Sequence, residues 1–205
     1  LLRPLEALQA SDAGWAERNR ISDPQVREAF ENGRADALAA NGRLDEARVA
    51  LDGLIHSADP QPDTTQLALA RISEADMDLD AGDAATALLL ARQALPKLSI
   101  AEDERERARA WLLVVRALHR LDRVDEAARE TDAFTTWAAA SSTPCVALDA
   151  ALAQAEQRAL GESQDAAVAA YEQAMQHATD CGVPLALRDA HTLEVRTETP
   201  AAFFP

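Results

Sequence analysis

Alanine returns in this chain at a fixed interval. Ala47 follows "LDE", Ala87 stands in "DAATA", Ala127 follows "VDE" and Ala167 stands in "QDAA", each forty residues after the one before. Other positions keep step. Ala35, Ala75, Val115 and Ala155 lie twelve residues before these anchors. Leu51, Ala91, Thr131 and Tyr171 lie four after them, and Leu54, Ala94, Phe134 and Ala174 seven after. The first two anchors are preceded by Gly42 and Gly82; Asp122 holds that place in the third, and Gly161 falls one position early in the fourth. Self-similarity at a fixed period of this length marks stacked structural repeats, and it constrains the fold more than any other feature of the chain.

Each forty-residue unit reads as two helices. Apolar residues make up 48% of the chain but aromatics only 4%, so Ala and Leu must fill the core. Those are strong helix formers, and few β-branched residues are left for a sheet. The spacing predicts first helices over 24–41, 64–81, 100–121 and 144–160, and second helices over 43–57, 83–98, 123–140 and 163–181. The first helices follow cap-like signals: "SDPQ" at Ser22, "PDTT" at Pro62, "LSIAED" near Ser99 and "STPC" at Ser142. Ser, Thr and Asp accept the orphan amide protons of a first turn, and Pro fits its first position. Links this short force antiparallel hairpins. Small residues at facing positions let the two axes approach closely, and a lone hairpin cannot bury its apolar stripe, so neighbours must stack. The expected architecture is all-α: a single 1–205 domain, an α-α superhelix of about four hairpins over 24–60, 61–98, 99–140 and 141–182. One or two helices in the first twenty residues cap its start, and a helix over 184–197 caps its end.

These anchors resemble the tetratricopeptide repeat (TPR): a small residue in the first helix, glycine at the turn, alanine early in the second helix, then a bulky residue and another alanine. "NGRLDEARVALDGLI" and "GESQDAAVAAYEQAM" carry the likeness most fully, and Trp111 falls where that family often places an aromatic. The period of forty is longer than the family's usual 34, Val115 replaces the small residue, and Asp122 replaces the turn glycine. The resemblance implies an α-solenoid whose first helices line a concave, partner-binding side. Long repeats of this kind are similar to the helical arrays of bacterial signalling proteins and transcriptional regulators. A non-catalytic protein-interaction or sensory module within such a larger protein is the implied function. A small-ligand or peptide receptor and a stand-alone assembly scaffold or adaptor are the alternatives. The first residue is Leu, so a piece of a longer protein is expected.

A formal net charge of −15 sets the chain against direct nucleic-acid binding and anionic membrane surfaces. The longest strongly apolar run, "WLLVV" from Trp111, is far too short to span a bilayer. No phosphate-binding loop, GxSxG or HExxH spacing occurs, and no cofactor is expected. His177 and Cys181 stand one turn apart at a ligand-like spacing, without a second pair to complete a metal site. His56, His119 and His191 are isolated. Cys145 opens one helix and Cys181 closes its hairpin partner, both at similar distances from the turn, so antiparallel packing brings them to the same end. Two readings stay open, a disulfide or a pair of unbonded buried thiols. A bond would favour the periplasm over the cytoplasm, since cytosolic thiols stay reduced.

If the first helices line a groove, Asp36, Asp76, Arg116 and Glu156 recur along it, eleven residues before each anchor. Arg109, His119 and Arg120 add a basic cluster in the third unit. One reading has Arg109, Arg116 and Arg120 receive a carboxylate or acidic peptide through forked donors. The other has Arg116 pair with Asp76 and Glu156 in a solvated ladder. Trp15, Trp111 and Trp137 are read as core residues before ligand contacts, and Phe203–Phe204 as an apolar tail that docks on the last helix or another chain.

Overall fold

Three helices of this chain end in the same way, at the same forty-residue step. Gly42, Gly82 and Asp122 all take positive φ, at 77°, 89° and 56°. At each site two backbone bonds close the helix. Gly42 N–H donates to the Ala39 carbonyl at 2.9 Å and Arg43 N–H to that of Leu38 at 3.0 Å. Gly82 and Asp83 do the same to Leu79 and Asp78, and Asp122 and Arg123 to His119 and Leu118. This paired closure satisfies carbonyls that a helix end would otherwise leave open. Asp122 adopts the turn conformation its position demands, because a short polar side chain tolerates the left-handed region better than most.

The structure is a computed structural model that describes residues 4–56, 65–99, 103–161 and 164–182. Among the described residues all regular structure is helical. The α-helices are α1 (Pro4–Trp15), α2 (Pro24–Ala40), α3 (Leu44–His56), α4 (Thr65–Ala81), α5 (Ala84–Ala94), α6 (Glu104–Arg120), α7 (Val124–Ala138), α8 (Pro144–Gly161) and α9 (Gln164–Cys181). Short 3-10 turns follow α1 at Arg18–Arg20 and α5 at Leu95–Lys97. The chain divides into two compact units, Leu1–Leu98 and Ser99–Pro205, and the division falls between the second and third predicted repeats. The predicted helix over 184–197, His191 and Phe203–Phe204 lie outside the described residues.

Two predicted ranges are corrected. The helix expected over 83–98 ends at Ala94 and continues as a 3-10 turn. Pro96 has no N–H to give to the carbonyl four residues back, so the α-helical ladder stops there. The helix expected from 100 begins at Glu104, after an N-cap at Asp103 rather than Ser99. The Asp103 carboxylate makes no cap bond; it accepts from the Ser99 N–H at 2.8 Å, tying down the incoming loop. At α2 the cap signal lands as expected, with Asp23 accepting from Gln25 N–H at 2.9 Å and Pro24 opening the helix.

The residue after each positive-φ position then fixes the start of the second helix. Arg43 and Arg123 each reach three residues on, to Glu46 and Glu126. The first pair lowers the pKa of Glu46, chiefly through the hydrogen bond Arg43 donates. In the second repeat Asp83 accepts from the Thr86 N–H at 3.1 Å and from its hydroxyl at 2.8 Å. Both bonds hold the Asp83 carboxyl below its ordinary pKa. A carboxylate with a lowered folded pKa stabilises the fold above its unfolded pKa, and the contribution fades as pH falls through the folded value. Asp83→Ala is therefore expected to melt below wild type at neutral pH, with the two converging below about pH 4, as thermal unfolding followed by circular dichroism would record.

The turns carry a second prediction. A Cβ at Gly82 would meet nothing within 4 Å, so Gly82→Ala adds backbone strain alone. It is expected to lower stability by roughly 1–2 kcal/mol. Asp122→Gly relieves a milder strain and is expected to raise stability by less than about 1 kcal/mol. Urea unfolding of both variants tests this opposite pairing.

Inside each unit the hairpins stack. In the first unit α1 lies on α2, α2 pairs with α3, and α4 packs against both α2 and α3 while pairing with α5. In the second unit α6 pairs with α7, and α8 packs against both of them while pairing with α9. The eight small-residue positions, Ala35, Ala47, Ala75, Ala87, Val115, Ala127, Ala155 and Ala167, are no more than 1% exposed. Their burial is the reason for the beat: wherever two helices approach closely, the sequence removes bulk.

Candidate functional site

The predicted charge stripe is mostly answered by the chain itself. In the second unit Arg116 donates through Nε to Glu156 at 2.9 Å, and the ring Nε2 of His119 lies 2.7 Å from the Gln157 amide oxygen. These contacts form a polar seam between α6 and α8. Arg109 and Arg120 are exposed on α6. Asp76 is half-buried on α4, in the first unit. There Asp36, at the equivalent place in the preceding repeat, accepts from the Ser73 hydroxyl at 2.6 Å. The structure thus brings together Arg116, His119 and Glu156 of the predicted set.

Two of the three tryptophans belong to the second unit's core. Trp111 and Trp137 flank the fully buried Phe134, with ring centroids 5.3 Å and 6.1 Å from it. Trp111 Nε1–H donates to Glu130 at 2.9 Å, which satisfies its polar edge. Beside them Cys145 and Cys181 are joined in a disulfide, with Cα atoms 4.9 Å apart. The bond takes Cys181 out of any ligand pair with His177. Among the described residues no group of three or more His, Cys, Asp or Glu side chains is placed to hold a metal ion.

Trp15 behaves differently and marks a site that the charge stripe did not point to. It closes α1 half-buried, 6.3 Å from the Phe30 ring. Two guanidiniums lie over it, Arg18 at 4.1 Å and Arg34 at 4.7 Å from the ring centroid. Arg18 donates to the Trp15 carbonyl, and Arg34 is paired with Asp12 on α1. This stack forms one wall of a groove of about 670 Å³ whose other walls are α2 and α3. Leu38, Val49, Ala50 and Gly53 supply its apolar surface, and Val49 is 73% exposed. Glu31, Asp45 and Glu46 bring carboxylates to it.

Gly53 is the informative residue here. It sits inside α3, where glycine is about 1 kcal/mol less favourable than alanine. A Cβ at this position would meet nothing within 4 Å, so no packing contact among the described residues demands the glycine. Its missing side chain widens the groove. Gly53→Ala is expected to stabilise the first unit by up to about 1 kcal/mol, measured as a raised urea midpoint. The sequence signal was present in "LDGLI", as a helix-interior glycine beside an apolar stripe.

Comparison of the chain with protein-family models, with curated proteins and with solved structures returned no match.

Proposed function

We propose that the chain is a non-catalytic, TPR-like helical-repeat module that binds a protein or peptide partner, working as part of a larger bacterial signalling or transcriptional regulator. The observation that carries the binding half of this reading is the open groove between α1, α2 and α3. It combines an aromatic stack, an apolar wall exposed to solvent and a helix glycine whose open side meets no atom within 4 Å among the described residues. The recurrence of one turn geometry at Gly42, Gly82 and Asp122 supports a superhelical array as its scaffold. The groove's volume lies in the range of small-ligand pockets. An exposed Val49 on its wall favours an extended segment that lies across the surface. No helix among the described residues is long and apolar enough to cross a membrane. The Cys145–Cys181 bond favours work in an oxidising compartment such as the periplasm.

Selection from a displayed library of random peptides tests the reading. Peptides enriched on wild type are expected to lose binding to Gly53→Phe, which fills the groove, while the variant's thermal unfolding stays close to wild type. The reading fails if no enriched peptide distinguishes the two proteins.

A further inference from the structure

The groove's charges are not equivalent. Arg34 is answered by Asp12, and Glu46 by Arg43. Arg18 is stacked on Trp15 and donates to that residue's carbonyl. Glu31 and Asp45 are left, and neither has a hydrogen-bond or ion-pair partner among the described residues. In an antiparallel hairpin, residues equally far from the turn stand side by side. The Gly42 turn therefore places Glu31 beside Gly53 at one end of the groove, and Leu38 beside Asp45 and Glu46 at the other. Glu31 and Leu38 are seven residues apart on α2, or about 10 Å along the helix axis. The groove is thus an apolar trough with an unanswered carboxylate near each end. Counting Asp12 and Arg43 with the lining residues leaves a local charge of −1, from Glu31 and Asp45 against Arg18. The whole chain carries −15, a field that attracts cations before contact is made.

We infer that the α1–α2–α3 groove binds a protein segment carrying two basic residues about 10 Å apart, the i, i+3 spacing of a polyproline-II segment, which rises about 3.1 Å per residue with three residues per turn and so presents both side chains on one face. This rests on the binding reading proposed above and adds the chemistry of the partner. The two cationic ends pair with Glu31 and Asp45, and the apolar residues between them lie against Val49, Ala50 and the space opened by Gly53. Charge complementarity supplies selectivity and encounter rate more than total affinity. An acidic segment meets two uncompensated carboxylates and is rejected.

Fluorescence anisotropy with two labelled peptides, one containing Arg-Leu-Val-Arg and the other Glu-Leu-Val-Glu, tests this on the full chain. The basic peptide is expected to bind, and raised salt to weaken it. Binding is expected to fall by at least about tenfold in Glu31→Gln/Asp45→Asn, and by a similar factor in Gly53→Phe. Glu172→Gln, an exposed carboxylate of α9 in the second unit and outside the groove, is expected to leave it nearly unchanged. Equal binding to wild type and to the Glu31→Gln/Asp45→Asn variant would assign capture to the general acidic surface and overturn the inference. So would binding of the acidic peptide, or no binding of the basic one. If library peptides without paired basic residues still depend on an open Gly53, the interaction reading stands and the basic partner alone is lost. If no library peptide depends on it, both fall.

Discussion

Phe134→Ala is expected to lower the unfolding free energy of the second unit by about 3–5 kcal/mol. Phe134 is fully buried, and its ring stacks on Trp111 and Trp137. The place it occupies in the repeat is held by Ala94 in the second unit of the sequence and Ala174 in the fourth. The third repeat therefore places an aromatic ring where the first has Leu54 and the second and fourth have alanine, and its neighbours are built round that ring. Truncation removes the buried apolar area and leaves a hole bounded by two indoles that cannot close it without moving. Trp111 is held further by its bond to Glu130, and Arg107 lies 5.8 Å and 5.9 Å from the centres of the two indole rings. Urea unfolding followed by tryptophan emission measures the loss, since two of the three tryptophans line the site. A loss below about 1 kcal/mol would mean that α6, α7 and α8 collapse onto the gap, and that the aromatic cluster is not what holds them.

The forty-residue beat was enough to read the helical hairpins, because close helix approach excludes bulk at fixed positions and leaves a pattern in residue size. The turns were legible for the same kind of reason. Positive φ selects Gly42 and Gly82, and the beat exposed Asp122 as the residue that must take their conformation. Helix ends were less so. Asp103 uses its carboxylate on the Ser99 amide instead of its own helix, a choice set by the loop path and not by local preference. Pro96 was visible in the sequence, but the apolar spacing across it suggested a longer α-helix than a chain without that N–H can form. The groove was hardest to see. Trp15 and Gly53 are thirty-eight residues apart, and neither falls on the repeating positions. Periodicity reports what the repeats share, whereas a binding surface is built from what one of them does alone.

Removing the Cys145–Cys181 bond is expected to cost the second unit about 4 kcal/mol by the chain-entropy estimate for a loop of this sequence separation, thirty-six residues. The bond joins the first turn of α8 to the last residue of α9, the hairpin end opposite the turn. With it, the pair is held covalently at that end; without it, α9 depends on burial of Ala170, Tyr171, Ala174 and Ala178. Those are mostly small side chains with little apolar area to hold a helix in place. The loss is therefore expected to appear first in α9. Its amide protons should exchange faster in Cys145→Ser/Cys181→Ser than in wild type, with a smaller change in α6 and α7. Reductant should lower the melting temperature of wild type to that of the double variant and leave the variant where it was. Equal melting of wild type with and without reductant would show that side-chain packing alone fixes the hairpin. The same chain made in an oxidising and in a reducing compartment is expected to differ by this amount, because only the first allows the bond to persist. Compartment thus becomes a term in the stability of α9.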